Sequence, residues 1–133
     1  MLRTFLPSLP ERTMPKPVSA PLLRSLAERF GSPLWVYNAA VIRERITALK
    51  AFDTVRFAQK ACSNTHILKL MREQGVKVDS VSRGEILRAL AAGYQAGGDE
   101  IVFTADLLDR ETLATVVEHQ VPVNAGSIDM LRQ

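Results

Sequence analysis

Val76-Lys77-Val78-Asp79-Ser80-Val81-Ser82-Arg83-Gly84-Glu85-Ile86-Leu87-Arg88-Ala89-Leu90-Ala91-Ala92-Gly93 (residues 76–93) holds a strand and a helix back to back. Val76 to Val81 reads as a strand. Ile86, Leu87 and Leu90 then mark a helix that Gly93 ends. Between them, Ser82-Arg83-Gly84-Glu85 is a capping box, in which the Ser82 hydroxyl accepts the Glu85 amide and the Glu85 carboxylate reaches back. The same unit recurs on both sides. Val55 to Gln59 reads as a strand, followed by a helix marked by Ile67, Leu68 and Met71 and ended by Gly75. Ile101 to Phe103 reads as a strand, followed by a helix capped by Asp109 and marked by Leu113, Val116 and Val117. Val121 to Ala125 reads as a fourth strand, and Ser127 opens a last helical turn. The strand ends Lys60, Ser82, Thr104 and Asn124 are separated by 22, 22 and 20 residues. A βαβαβαβ order implies an α/β fold with a parallel sheet, because each crossover helix returns the chain to the same end. Spacing alone does not choose between an open sheet and a barrel.

Upstream the pattern is looser. Residues 1–20 contain Pro7, Pro10, Pro15 and Pro17 and read as a flexible leader, with the folded part running from 21 to 133. Leu22, Leu23, Leu26 and Phe30 form one helical stripe that Gly31 and Pro33 stop. Leu34-Trp35-Val36-Tyr37 is a short strand candidate. Asn38 caps a second helix whose buried face is Ile42, Ile46 and Leu49.

The chain has 133 residues, enough for a core but well short of the roughly 250 that a closed eight-stranded α/β barrel takes. With 17 basic against 14 acidic residues the net charge is only +3. The charges are mixed along the chain, so no nucleic-acid tail is indicated. Cys62 is the single cysteine, which excludes an internal disulfide and a cysteine-based zinc site and fits a reducing, cytoplasmic compartment. No apolar stretch is long enough to span a membrane. Pro7, Pro10 and Glu11 interrupt what would be the apolar core of a secretory signal.

In parallel α/β folds the chemistry gathers at the C-terminal ends of the strands. The residues expected there are Lys60, Asp79 to Ser82, Thr104 and Asn124 to Ser127. A lysine at a strand tip, hemmed by sheet neighbours, loses hydration, which favours the neutral amine, a nucleophile able to form a Schiff base. On position alone, a lysine reaching out to solvent is the favoured reading of Lys60. Asp79 stands among apolar strand positions and needs a partner, either a cationic or hydroxylated ligand or a lysine or arginine on a neighbouring strand. For Ser82 and Glu85 the capping role suffices, and Gly84 gives only a weak hint of a phosphate site at the helix N-terminus. Cys62 reads as a packing residue. His66 and His119 lack metal-ligand spacing and read as surface residues on helices, so no metal site is expected. Asn124 to Ser127 reads as turn and cap chemistry. No glycine-rich dinucleotide loop or Walker loop is present.

Longer motifs carry a resemblance. They are Pro33–Tyr37, Val55–Asn64 (VRFAQKACSN), Met71–Ser82 (MREQGVKVDSVS), Gly84-Glu85, Arg88–Tyr94 (RALAAGY), Ile101–Thr104 and Val123–Ser127. From Phe30 to Gln133 the sequence resembles the N-terminal part of the diaminopimelate decarboxylase family, in the branch of pyridoxal-phosphate decarboxylases built on an alanine-racemase-like barrel. The resemblance implies a partial (β/α)8 TIM-type barrel comprising about the first four βα units. It implies that Lys60 binds pyridoxal 5′-phosphate as a Schiff base and that Asp79 lies near this cofactor, which reverses the position-only reading of Lys60. The implied reaction removes CO₂ from the D-centre of meso-2,6-diaminopimelate, a small amino-acid substrate, to give L-lysine. A homodimer is implied for the full-length family. The Leu34–Tyr37 strand is implied to join the sheet of a second domain. The phosphate loop, the acidic partner of the ring nitrogen, the stacking histidine and the substrate-contacting tyrosine and cysteine lie further along the family chain than Gln133. Many members carry Asn in place of Cys62 and Asp in place of Gly126. Two other classes compete: a non-catalytic vitamin B6 carrier, and a sister decarboxylase acting on arginine, ornithine or a carboxylated polyamine.

Overall fold

β2 (Lys77–Ser80) is the middle strand of a three-stranded parallel sheet, flanked by β1 (Arg56–Ala58) and β3 (Ile101–Phe103). The computed structural model describes residues 18–105 and 108–132. The remaining elements, in chain order, are α1 (Ala20–Phe30), α2 (Ala39–Thr47), α3 (Thr65–Glu73), α4 (Arg83–Ala91), α5 (Arg110–Glu118) and the single turn α6 (Ile128–Leu131). The expected alternation of strand and helix around a parallel sheet is therefore borne out. The chain divides into two units, Met1–Ala51 and Phe52–Gln133, so the expected 21–133 segment spans both.

In the second unit, register and alternation assign the faces. Phe57, Val78 and Ile101 are neighbours across the strands, as are Ala58, Asp79 and Val102. Side chains of register partners share a face, and that face alternates along each strand. The first row, with Ser80 and Phe103, faces the core formed with Leu68, Ile86 and Ala89. α4 packs on β2 and β3 and lies between α3 and α5. The second row, Ala58, Asp79 and Val102, falls on the opposite face.

The repeat seen in the sequence has a structural cause at the helix C-termini. After α3, Gly75 (φ 78°) donates to Arg72 O at 2.9 Å and Val76 N to Met71 O at 3.1 Å. After α4, Gly93 (φ 96°) donates to Leu90 O at 2.9 Å and Tyr94 N to Ala89 O at 3.1 Å. After α5, Gln120 (φ 52°) donates to Val117 O at 3.1 Å and Val121 N to Val116 O at 2.9 Å. Each is a Schellman motif. The residue that follows the left-handed position, Val76, Tyr94 or Val121, is buried in every case. The turn thus ends the helix and drops an apolar residue into the core on the way to the next strand. Caps start the helices in the same regular way: Asn64, Ser82, Asp109 and Ser127 accept amides of the first turn. The Thr112 amide beside Asp109 holds its carboxyl below the usual range.

Several expected features differ. Val121 to Ala125 is not a strand. It makes a single bridge, Val123 to Phe103, held by Phe103 N to Pro122 O at 2.8 Å and Asn124 N to Phe103 O at 2.9 Å. A strand grows where a neighbour takes its hydrogen bonds, and among the described residues nothing pairs on its far side. Leu34 to Tyr37 forms no strand either, with Trp35 87% exposed. β1 stops at Ala58, and Gln59–Ala61 forms a 3₁₀ turn. Leu87 and Val117 are exposed, since the inward stripes of α4 and α5 are Glu85, Ile86, Ala89 and Thr112, Thr115, Val116. α1 and α2 contain no buried residue, and α1 starts at Ala20 behind the Ser19 cap. Residues 1–17 of the expected leader lie outside the described residues. No helix among the described residues is long and apolar enough to cross a membrane.

The Tyr94 hydroxyl lies 3.0 Å from Val76 O and 3.2 Å from Leu68 O, tying the start of β2 to α3. Burial, followed by the nearby Glu100 carboxylate, pushes the phenol from 10.0 up to about 12. A folded-state value above the unfolded one contributes stability that is complete below pH 10 and disappears as pH rises through 12. Alkaline unfolding of the chain should therefore steepen between pH 10 and 12, and Tyr94→Phe should flatten that limb while costing about 1 kcal/mol at neutral pH. At Gln120 a side chain occupies the left-handed region that glycine takes at the two equivalent turns. Gln120→Gly should raise stability by about 1 kcal/mol, read as a shifted denaturation midpoint with unchanged slope.

Candidate active site

Four polar side chains gather where the strands end. Gln59 follows Ala58, Ser80 is the last residue of β2, Thr104 follows Phe103 and Asn124 follows Val123. They form a linked series. Gln59 Nε2 donates to Ser80 Oγ at 2.7 Å. The Thr104 amide donates to Ser80 O at 2.9 Å, and Asn124 Nδ2 donates to Thr104 Oγ1 at 2.8 Å. Strand amides and carbonyls at a sheet's end have no further ladder partner, and here polar side chains and one amide continue the cross-links past the last paired residues.

Lys60 sits within this series, in the 3₁₀ turn Gln59–Ala61. The Gln59 carbonyl accepts from Cys62 N at 2.9 Å and from Ser63 Oγ at 3.0 Å. Asn64 then caps α3 through the amides of His66 and Ile67. The short run of small and polar residues after Lys60 is thereby braced from both ends. The expected location at the C-terminal end of the sheet holds. Lys60 is exposed, in keeping with the position-only reading of a lysine that reaches out to solvent.

Asp79 is half-buried, in register with Ala58 on one side and Val102 on the other. Among the described residues its Oδ1 is buried without a hydrogen-bond partner. No lysine or arginine among the described residues pairs with it; the ion pairs there are Arg72–Glu100, Lys77–Asp99 and Arg132–Asp129. Of the two roles open to Asp79, the neighbouring-strand ion pair is absent among the described residues. A buried carboxylate oxygen left unpaired costs free energy. It marks a place where the fold gives up stability for something else.

The other candidates keep structural roles. Ser82 Oγ accepts the Glu85 amide at 3.3 Å, and Glu85 Oε2 accepts the Val81 amide at 2.8 Å. Ser127 caps α6. His66 is exposed on α3, and His119 is the C-cap of α5. No cluster of three His, Cys, Asp or Glu side chains suited to a metal exists among the described residues. What the sequence analysis did not single out is the Gln59–Ser80 pair. The signal was there in the period of two: Gln59 shares the core-facing phase of Phe57, and Ser80 that of Val78.

The chain was compared with known proteins. Residues 38–133 match the family described as pyridoxal-dependent decarboxylase, pyridoxal binding domain. The diaminopimelate decarboxylase of Escherichia coli (strain K12) is 70% identical over 114 residues, covering 84% of this chain and 27% of that protein. The diaminopimelate decarboxylase of Streptomyces coelicolor is 60% identical over 130 residues, covering 96% of this chain and 30% of that protein. A crystal structure of diaminopimelate decarboxylase superposes with a TM-score of 0.82 at 66% identity, covering 85% of this chain and 27% of that one. The chain thus spans less than a third of the length of these relatives.

If Asp79 serves a ligand and not the fold, Asp79→Asn should leave the thermal midpoint unchanged or raise it. A loss above about 1 kcal/mol in thermal or denaturant unfolding would make the carboxylate a structural partner.

Proposed function

The chain belongs to the pyridoxal-dependent decarboxylase family, through its pyridoxal-binding domain, and from that membership we propose that it is the N-terminal portion of a diaminopimelate decarboxylase. The observation that carries this reading is 70% identity to the Escherichia coli enzyme over 84% of the chain. So high an identity favours it over the sister decarboxylases of arginine, ornithine or carboxylated polyamines. The whole enzyme removes CO₂ from the D-centre of meso-2,6-diaminopimelate and releases L-lysine. It acts in the cytoplasm as a homodimer on this small, soluble amino acid.

The residues present fit pyridoxal 5′-phosphate. A primary amine, Lys60, is exposed at the C-terminal end of a parallel sheet. A buried carboxylate oxygen, Asp79 Oδ1, lacks a protein partner on the strand beside it. Lys60 and Asp79 are the residues of this chain that would hold the cofactor. When bound, pyridoxal 5′-phosphate supplies an electron sink for the pair left behind as CO₂ departs. Lys60 would tether the cofactor through Nζ. Lys60 Nζ, when free, would hold and move a proton at the carbon that loses CO₂. Asp79 offers its unpaired oxygen to a donor on the ligand. The braced turn holds the Lys60 backbone at one place on the sheet's rim, which supports the orientation such chemistry needs.

The experiment is covalent trapping. The Lys60 amine adds to the aldehyde, water leaves, and borohydride reduces the resulting C=N bond to a stable C–N bond. Peptide mass spectrometry of the treated chain should place one phosphopyridoxyl group on Lys60, and Lys60→Ala should remove it. Equal labelling of all exposed lysines would contradict the assignment. The 133-residue chain by itself should form little or no lysine from diaminopimelate.

A further inference from the structure

Gln59 and Ser80 are both fully buried, at 0% exposure, and bonded to each other at 2.7 Å. Gln59 Oε1 has no hydrogen-bond partner among the described residues. A buried polar pair with one orphaned acceptor is a poor way to fill a core: two apolar side chains of similar shape would fill the space without the desolvation cost. Its location supplies the reason. Gln59 is the residue before Lys60 and the first of the 3₁₀ turn. Ser80 is the last residue of the central strand, and its carbonyl is held by the Thr104 amide at 2.9 Å. The hydrogen bond therefore couples the turn that carries Lys60 to the strand that is paired on both sides. The Gln59 backbone carbonyl, held by Cys62 N and Ser63 Oγ, locks the same turn from its other side. An apolar residue at 59 would bury equally well and leave the turn free to shift along β2.

We propose that Gln59 and Ser80 are positioning residues for Lys60, their side-chain hydrogen bond fixing the turn against β2 so that Nζ is presented in one orientation. This rests on the reading of Lys60 as the cofactor-binding amine. The test uses three variants of the chain: Gln59→Met, Ser80→Ala and the double variant. Each is treated with pyridoxal 5′-phosphate and borohydride. Labelling at Lys60 is divided by labelling at Lys69, which is exposed on α3 and serves as an internal reference, and thermal midpoints are recorded alongside. Each single variant leaves one buried polar group unpaired and should lose stability; the double variant removes both groups and should recover it. Positioning predicts a different pattern for the labelling ratio: a fall of roughly tenfold in each single variant, with no recovery in the double. A ratio that returns to the wild-type value in the double variant, or that never falls, overturns the inference. A double variant that does not fold overturns it too, because the pair would then be a requirement of the fold. A wild-type chain with no preference for Lys60 over Lys69 overturns the Lys60 reading itself and this inference with it, an outcome distinct from the others.

Discussion

β2 is hydrogen-bonded on both sides, and that single constraint settles which side chains are free for chemistry. A strand paired with two parallel neighbours cannot slip by one residue without turning every side chain to the other face. Val78 and Ser80 lie in the core with the helices, so Asp79 must point the other way. Register then places Ala58 and Val102 beside it. Their small and apolar side chains offer the carboxylate no partner. Lys60 follows from the same register, two residues beyond Ala58, at the point where β1 gives way to a turn. The relation between the lysine and the aspartate is thus set by backbone pairing and needs no contact between the two.

The helices are interchangeable parts in this scheme. α3, α4 and α5 each start at a side-chain cap, end at a left-handed residue and return a buried apolar residue to the core. This is why the repeat was legible. Gly75 and Gly93 announce their turns, whereas Gln120 does the same work without the residue type that signals it. Capping residues such as Asn38, Ser82 and Asp109 were equally readable, because a cap needs only a short polar side chain next to the helix it starts.

What stayed hidden depends on partners distant in sequence. Whether Val121 to Ala125 or Leu34 to Tyr37 becomes a strand is decided by what lies beside it, and local propensity is silent on that. Leu87 and Val117 match a helical stripe but lie to one side of the arc that meets the sheet. The sequence also does not announce that β1 ends one residue early in a 3₁₀ turn. The Gln59–Ser80 bond joins residues 21 apart; each looks ordinary alone, and only the pairing of β1 with β2 makes them neighbours. The lysine and aspartate proposed for the site were legible by resemblance, and the polar links that hold the strand ends together were not.

The strand ends of this chain are cross-linked by polar side chains, Gln59 to Ser80 and Asn124 to Thr104. The most direct measurement is a crystal structure of the chain with pyridoxal 5′-phosphate. The account predicts continuous density from Lys60 Nζ to the aldehyde carbon, a ligand donor within hydrogen-bond distance of Asp79 Oδ1, and an intact Gln59–Ser80 bond. Cofactor attached to a different lysine, or lying among the helices with Asp79 still unpaired, would contradict it.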